Sequence, residues 1–313
     1  MKKPISIDFI LELIKNTPYL FLGNSKNKFI DNASLPLLAN SKSICWTSLV
    51  GIELGNIVLK STAGLIIAQE KVRLTNPENC IIVVANPKLI FSKIVNSLFV
   101  NSFTPSISNN VSIHPSAKID KSAYIGPNTT IGNCEIGPGV VIHGNCFIYD
   151  NVKIEANVKI HAGCVIGTRG SGYVKDKNNN WIPFPQIGAT IIEEDVEIGA
   201  NSYIARGALL ETRIKKGVKI GLACSIGHNV IVGENSIVLA NSLIAGSAKI
   251  GKDVYIAPKV VIKNKKKIGD RATVGMASVV HNDVPEDTTV VGNPAESIES
   301  FRAKRKAIKE LLK

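Results

Sequence analysis

Aliphatic residues return every six positions over most of the chain. Ile107, Ile113, Ile119, Ile125 and Ile131 open the series, and after one step of five it resumes at Ile136 and continues through Ile142, Ile148, Ile154, Ile160 and Ile166. Ile192, Ile198 and Ile204 keep the beat, and a last run from Ile220 and Ile226 to Val274 and Val280 holds strict period six. This spacing suits neither a 3.6-residue helix nor a two-residue strand alternation. It predicts a mainly β fold, a left-handed parallel β-helix of hexapeptide repeats. Each hexapeptide forms one flat face, three close a coil of about eighteen residues, and the aliphatic side chain stacks inward on its equivalent in the next coil. Residues 107–291, less one insertion, give roughly nine coils. The glycines of Ile125-Gly126, Ile198-Gly199 and similar pairs are expected at the corners, easing the turns.

The beat fails between Gly167 and Ile187, so residues 167–186 are expected to loop out as an insertion. Its aromatics, Tyr173 and Trp181, fit a loop that covers a partner or a site. Residues 1–100 lack the repeat. Ser6–Asn16 has helical spacing, Ile57–Leu59, Leu65–Ala68 and Cys80–Ala85 read as strands, and Pro87–Phe99 reads as a helix with proline in its first turn. The expected organisation is therefore an α/β domain over 1–100, a linker over 101–110 rich in Asn, Ser, Thr and Pro, the β-helix over 111–294, and a short basic C-terminal helix over 295–313. That helix suits docking to an acidic carrier protein or a nucleotide phosphate, and on composition alone reads as a solvated tail.

Composition narrows the class. Of 313 residues, 45% are hydrophobic and only 5% aromatic, which excludes a disordered chain and favours a core of Ile and Val. The net charge of +12 comes from lysines spread along the chain. There is no basic stripe with interleaved aromatics, so nucleic-acid binding is not expected. Nor is a membrane span, for want of a long apolar stretch. The six cysteines show no metal-ligand spacing, so no metal is expected, and they read as free thiols of a cytoplasmic protein. Cys146 and Cys164, eighteen apart, are expected to stack in the core; His143 and His161, also eighteen apart, are expected to stack on the surface.

The same register points to chemistry. His228 follows the ladder residue Ile226 by two, which places it outward at a coil edge, and Gly246 lies eighteen residues on, directly over it. An imidazole beside an unobstructed backbone N–H is a minimal set for acyl transfer: the base takes a proton from an attacking amine, and the amide donor holds the developing oxyanion.

The hexapeptide run from His114 to Pro294 resembles the left-handed β-helix acyltransferases. Within them the layout is similar to the UDP-3-O-acylglucosamine N-acyltransferase family. The features that match are the N-terminal α/β domain with Asn86-Pro87 entering its last helix, the insertion with Gly170-Ser171-Gly172-Tyr173 and Pro185-Gln186-Ile187-Gly188, then Arg206-Gly207-Ala208-Leu209 and Ile226-Gly227-His228-Asn229-Val230. The resemblance implies His228 as catalytic base and Gly246 as oxyanion donor. It implies Trp46 as the ring that stacks on the nucleotide base, and Tyr173, Gln186 and Asn229 as substrate-binding residues. It further implies a nucleotide-linked amino sugar as acceptor, acyl-CoA or an acyl-carrier protein thioester as co-substrate with no permanently bound cofactor, and a homotrimer. Leu49, Ala205, Gly221-Leu222 and Lys265 depart from the family's pattern. The ending Val290-Val291-Gly292-Asn293-Pro294 resembles acyl-CoA-dependent sugar acetyltransferases. A short-chain acyl-CoA enzyme for a dTDP- or UDP-linked amino-dideoxy sugar is therefore a rival reading. A zinc-dependent hydratase, which needs three converging imidazoles, and a non-catalytic scaffold are alternatives of another class.

Overall fold

The computed structural model describes residues 4–73, 79–100 and 103–312. They divide into two compact units, one up to residue 102 and one from Phe103 onward.

In the second unit the six-residue beat becomes strands of two to four residues on three sheets of eight, nine and eleven strands, parallel throughout except that Glu296–Ser297 pairs antiparallel with Thr289–Val291. Register follows the eighteen-residue count: Ile125 pairs with Ile142 across the step of five, Ile142 with Ile160, Ile226 with Ile244, and Ile244 with Ile262. The ladder residues from Ile125 to Val280 are almost wholly buried and form one continuous core. Each short strand gains its stability by stacking on its neighbours rather than by its own length. Pairing already begins at Ser106–Ile107, within the span expected as linker; residues 101–102 of that span lie outside the described residues.

The corners correct one expectation. The residue with left-handed backbone sits three positions after the ladder residue, as at Asn128, Asn145, Asn201, Asn229 and Asn241, and asparagine tolerates that region better than most side chains. The Ile-Gly glycines serve a different need. A β-carbon on Gly126 would stand 2.6 Å from the Gly144 nitrogen, and one on Gly199 would stand 2.5 Å from the Gly221 carbonyl carbon. They let successive coils close on each other.

All six cysteines are buried. Burial pushes the Cys45 and Cys134 thiols up to about 12, as befits packing groups rather than nucleophiles. His143 and His161 stack with ring centres 4.8 Å apart, Phe103 lies 4.9 Å from His143, and His161 Nε2 reaches Glu197 Oε1 at 2.9 Å. The insertion is not a bare loop: Tyr173–Lys175 and Trp181–Pro183 form an antiparallel hairpin, and Asp176 Oδ1 accepts the Asn178 and Asn180 N–H groups at its turn.

The first unit holds a five-stranded sheet in the order Leu20–Leu22, Cys80–Val83, Leu65–Ala68, Ser43–Trp46, Asn32–Ala33, with helices over Ile7–Leu13, Gly51–Lys60 and Pro87–Leu98. Ser6 and Asn86 cap the first and last helices through their side-chain oxygens. Ile57–Leu59, expected as a strand, is instead part of the Gly51–Lys60 helix. Leu54 and Val58 are buried four residues apart while Ile52 is 84% exposed, so packing of one helical stripe outweighs the local preference of a β-branched pair. The C-terminal helix spans Ile298–Leu311, capped by Ser297, with no buried residue.

Candidate functional site

His228 and Gly246 meet at one corner of the β-helix. A β-carbon on Gly246 would stand 2.6 Å from His228 Nε2, so the imidazole occupies the space a side chain there would need. Both residues are half-buried and open to solvent on one side. The Gly246 amide donates no hydrogen bond among the described residues, whereas its carbonyl accepts from Lys265 N–H.

Asn229 orients the ring. Its Oδ1 accepts the Ala208 N–H at 3.1 Å and lies 3.0 Å from His228 Nδ1. A backbone N–H can only meet the amide oxygen, which fixes the flip of the carboxamide. His228 Nδ1 must then carry a proton, and in the neutral ring this leaves the lone pair on Nε2, toward Gly246. Asn229 is itself held by its N–H, donated to the buried Thr212 Oγ1 at 2.8 Å.

The insertion folds against the other side of the imidazole. A β-carbon on Gly170 would be 3.0 Å from His228 Cδ2 and 3.0 Å from Gln186 Oε1, and one on Gly172 would be 3.1 Å from Gln186 Nε2. Two glycines thus leave room for the Gln186 amide, whose oxygen and nitrogen are both excluded from solvent and have no hydrogen-bond partner. Tyr173 is 52% exposed beneath the Arg169 guanidinium, and no hydrogen bond or ring contact joins it to His228. Arg206, noted in the sequence only as part of a motif, anchors the root of the insertion. Its guanidinium donates to the Gly167 and Asp150 carbonyls, each at 2.8 Å, and lies over the Tyr149 ring.

Two depressions flank this corner. One, of about 720 Å³, is bordered by Ile187, Leu209, Leu210, Ile231, Asn229 and Ser247; Leu209 and Leu210 are 62% and 78% exposed. The other, of about 470 Å³, lies at the insertion and is bordered by Tyr149, Asp150, Arg169, Phe184, Gln186 and Arg206. In the first unit Trp46 is half-buried at the end of its strand, 6.4 Å from Phe91, with Lys88 Nζ 6.0 Å from its ring centre. Among the described residues no group of three or more His, Cys, Asp or Glu side chains converges, so His143, His161 and His228 form no ligand set within one chain. No helix of the described residues is long and apolar enough to cross a membrane.

Comparison with known proteins agrees with this architecture. The family described as bacterial transferase hexapeptide matches residues 231–264, and the GMPPB C-terminal domain family matches residues 107–172. The chain is 35% identical over 191 residues to UDP-3-O-acylglucosamine N-acyltransferase of Coxiella burnetii, covering 55% of this chain and 56% of that protein. It is 34% identical over 203 residues to the enzyme of the same name from Paraburkholderia phytofirmans, with 54% of each covered. The chain therefore spans about half the length of the curated relatives it matches. Among solved structures, LpxA from Acinetobacter baumannii superposes with a TM-score of 0.55 at 27% identity, covering 63% of this chain and 77% of that one. The Francisella novicida UDP-N-acetylglucosamine acyltransferase gives a TM-score of 0.55 at 24% identity, covering 64% and 73%, and bears on the fold alone. The resemblance to hexapeptide-repeat N-acyltransferases drawn from the sequence holds in these matches.

Proposed function

We propose that the protein is an N-acyltransferase that moves an acyl group from a thioester to the amine of a nucleotide-linked amino sugar, in the manner named for its UDP-3-O-acylglucosamine N-acyltransferase relatives. The observation that carries this reading is the imidazole seated against Gly246 with its Nδ1 proton held by Asn229.

In the proposed reaction the sugar amine attacks the thioester carbonyl while His228 Nε2 takes its proton. The N–C bond forms as the carbonyl π electrons move to oxygen, and the Gly246 N–H donates to that oxyanion. Collapse re-forms the carbonyl and breaks the C–S bond, and the departing sulfur takes the proton back from His228. Such a base contributes about a hundred- to ten-thousandfold, and one oxyanion donor about a hundred- to a thousandfold. Neutral histidine suits the task near physiological pH.

The apolar depression beside Leu209 and Leu210 suits the acyl chain of the donor. Trp46 offers a half-exposed aromatic face for the nucleotide base. A homotrimer is supported by an outward row of Phe147, Tyr203, Leu243 and Val261 along one sheet of the β-helix, next to the His228 corner. Buried thiols fit a reducing cytoplasm.

The test is turnover of UDP-linked 3-O-acylglucosamine with long-chain acyl-carrier protein thioesters and, separately, with short acyl-CoA. N-acylated product from either supports the reading, and the preferred thioester identifies the donor. Absence of product with both, under conditions where the folded protein binds the sugar nucleotide, contradicts it.

A further inference from the structure

The His228 ring is held by a neutral group. Asn229 Oδ1 faces Nδ1 at 3.0 Å, and the same oxygen accepts the Ala208 N–H at 3.1 Å. Elsewhere in the molecule an imidazole does meet a carboxylate: His161 Nε2 lies 2.9 Å from Glu197 Oε1. At the His228 corner no carboxylate among the described residues comes within ion-pair distance of the ring. Glu211, the acid that borders the adjacent depression, is tied to Arg213 at 2.6 Å, and Lys249 borders the same depression with a positive charge. On the other side of the ring stand Gly170 and the Gln186 amide, neither of them charged. An imidazolium formed here meets dipoles and no counter-charge.

That difference bears on which atom can attack. A carboxylate on Nδ1–H stabilises the imidazolium as the proton arrives, and a hydrogen bond to an ionised acceptor is roughly twice as strong as a neutral one. An amine attacks with its own lone pair. The N–C bond forms first, the carbonyl π electrons move to oxygen, and the ammonium so produced is acidic enough to pass its proton to a neutral imidazole unaided. A hydroxyl cannot wait in this way, because attack without proton loss leaves a strongly acidic oxonium. Its proton must reach Nε2 while the O–C bond forms, so the base carries positive charge through the transition state. A hexosamine offers hydroxyls beside its amine, so a strengthened base would esterify the same sugar.

We infer that Asn229 is a positioning residue that also selects the nucleophile: by holding Nδ1–H with a carboxamide rather than a carboxylate, it confines His228 to nitrogen and keeps hydroxyls of the acceptor from being acylated. This inference rests on the N-acyltransferase reading and adds to it the residue that chooses the attacking atom.

The experiment compares wild type, Asn229→Asp and Asn229→Gly in single turnover with two acceptors, UDP-linked 3-O-acylglucosamine and the same molecule with a hydroxyl in place of the amine. Asn229→Asp keeps an oxygen toward both Ala208 N–H and Nδ1–H and tolerates the left-handed backbone. It is expected to raise ester formation about tenfold over wild type, the difference between a charged and a neutral hydrogen bond, and so to narrow the preference for the amine. The acid limb of its pH–rate profile should move up by about one pH unit. Asn229→Gly removes the carboxamide without adding charge, and should slow both acceptors alike, leaving the preference within about twofold. Circular dichroism of both variants should match wild type. Ester formation by Asn229→Asp that does not exceed wild type overturns the inference, whether or not the acid limb moves. So does an equal narrowing of the preference in Asn229→Gly, or wild-type enzyme that esterifies as fast as it forms amide. Amide from wild type with an unchanged preference in Asn229→Asp defeats the inference and leaves the catalytic reading standing. Absence of amide from wild type that still binds the sugar nucleotide defeats the reading, and the inference falls with it.

Discussion

The imidazole of His228 fills the space directly over the α-carbon of Gly246, one full coil on, so closely that a β-carbon there would fall 2.6 Å from Nε2. Gly246→Ala must therefore push the ring aside while leaving the backbone amide in place. About a hundredfold loss in kcat is expected, the scale of an ångström misplacement of a catalytic group. The melting temperature should hardly change, because the corner is open to solvent. Kinetics and a thermal melt on the same preparation check both halves.

Asn229 combines two duties, a left-handed backbone with φ of 61° and the carboxamide that holds Nδ1–H. Asn229→Gly keeps the first and removes the second. The expected result is a fall in kcat of roughly ten- to a hundredfold, well short of the ten-thousandfold known where a wrong tautomer is enforced, because loss of the carboxamide frees the ring rather than locking it wrongly. Circular dichroism should be unchanged. Full activity in this variant would show that the ring needs no such support.

Much of this arrangement was legible in the residues. Counting by eighteen placed Ile226 beside Ile244 and His228 over Gly246, because a solenoid turns sequence separation into spatial register. The count stops at the insertion, which adds residues without adding coils. The meeting of Arg169 with Arg206, and of Gln186 with Gly170, therefore could not be reached by it. The Gly51–Lys60 helix was hidden for another reason: Ile57-Val58 has local strand preference, and the burial of Leu54 and Val58 on one stripe is a tertiary fact. The corner glycines were assigned to backbone freedom when their need is space against the next coil, a distinction that requires coordinates.

Corner chemistry is testable in its own right. Lys259 occupies the left-handed corner position with φ of 60°. Lys259→Asn should stabilise the fold by about 0.5–1 kcal/mol, since asparagine visits that region at lower cost. Gly199→Ala, with its β-carbon 2.5 Å from the Gly221 carbonyl carbon, should destabilise by roughly 1–3 kcal/mol. The midpoints of urea unfolding should move in opposite directions.

His143 is held below the ordinary histidine range, first by burial and then by repulsion from His161, with which it stacks. The unfolded chain therefore takes up this proton before the folded one does. The stability contributed is complete above the unfolded value, near 6.5, and is lost as pH falls through it toward the lower folded value. On acidification from about pH 7 to pH 5, the melting temperature of wild type should fall more than that of His143→Gln. Parallel curves for the two proteins would mean that the stacked pair exerts no such effect.

The central claim is that His228 removes the proton from the attacking amine, and the most direct measurement is single-turnover acylation of UDP-linked 3-O-acylglucosamine by wild type and His228→Ala, followed by mass spectrometry of the sugar. The predicted result is N-acylated product from wild type and a rate about a hundred- to ten-thousandfold lower in the variant with sugar-nucleotide binding intact. An undiminished rate in His228→Ala would contradict it.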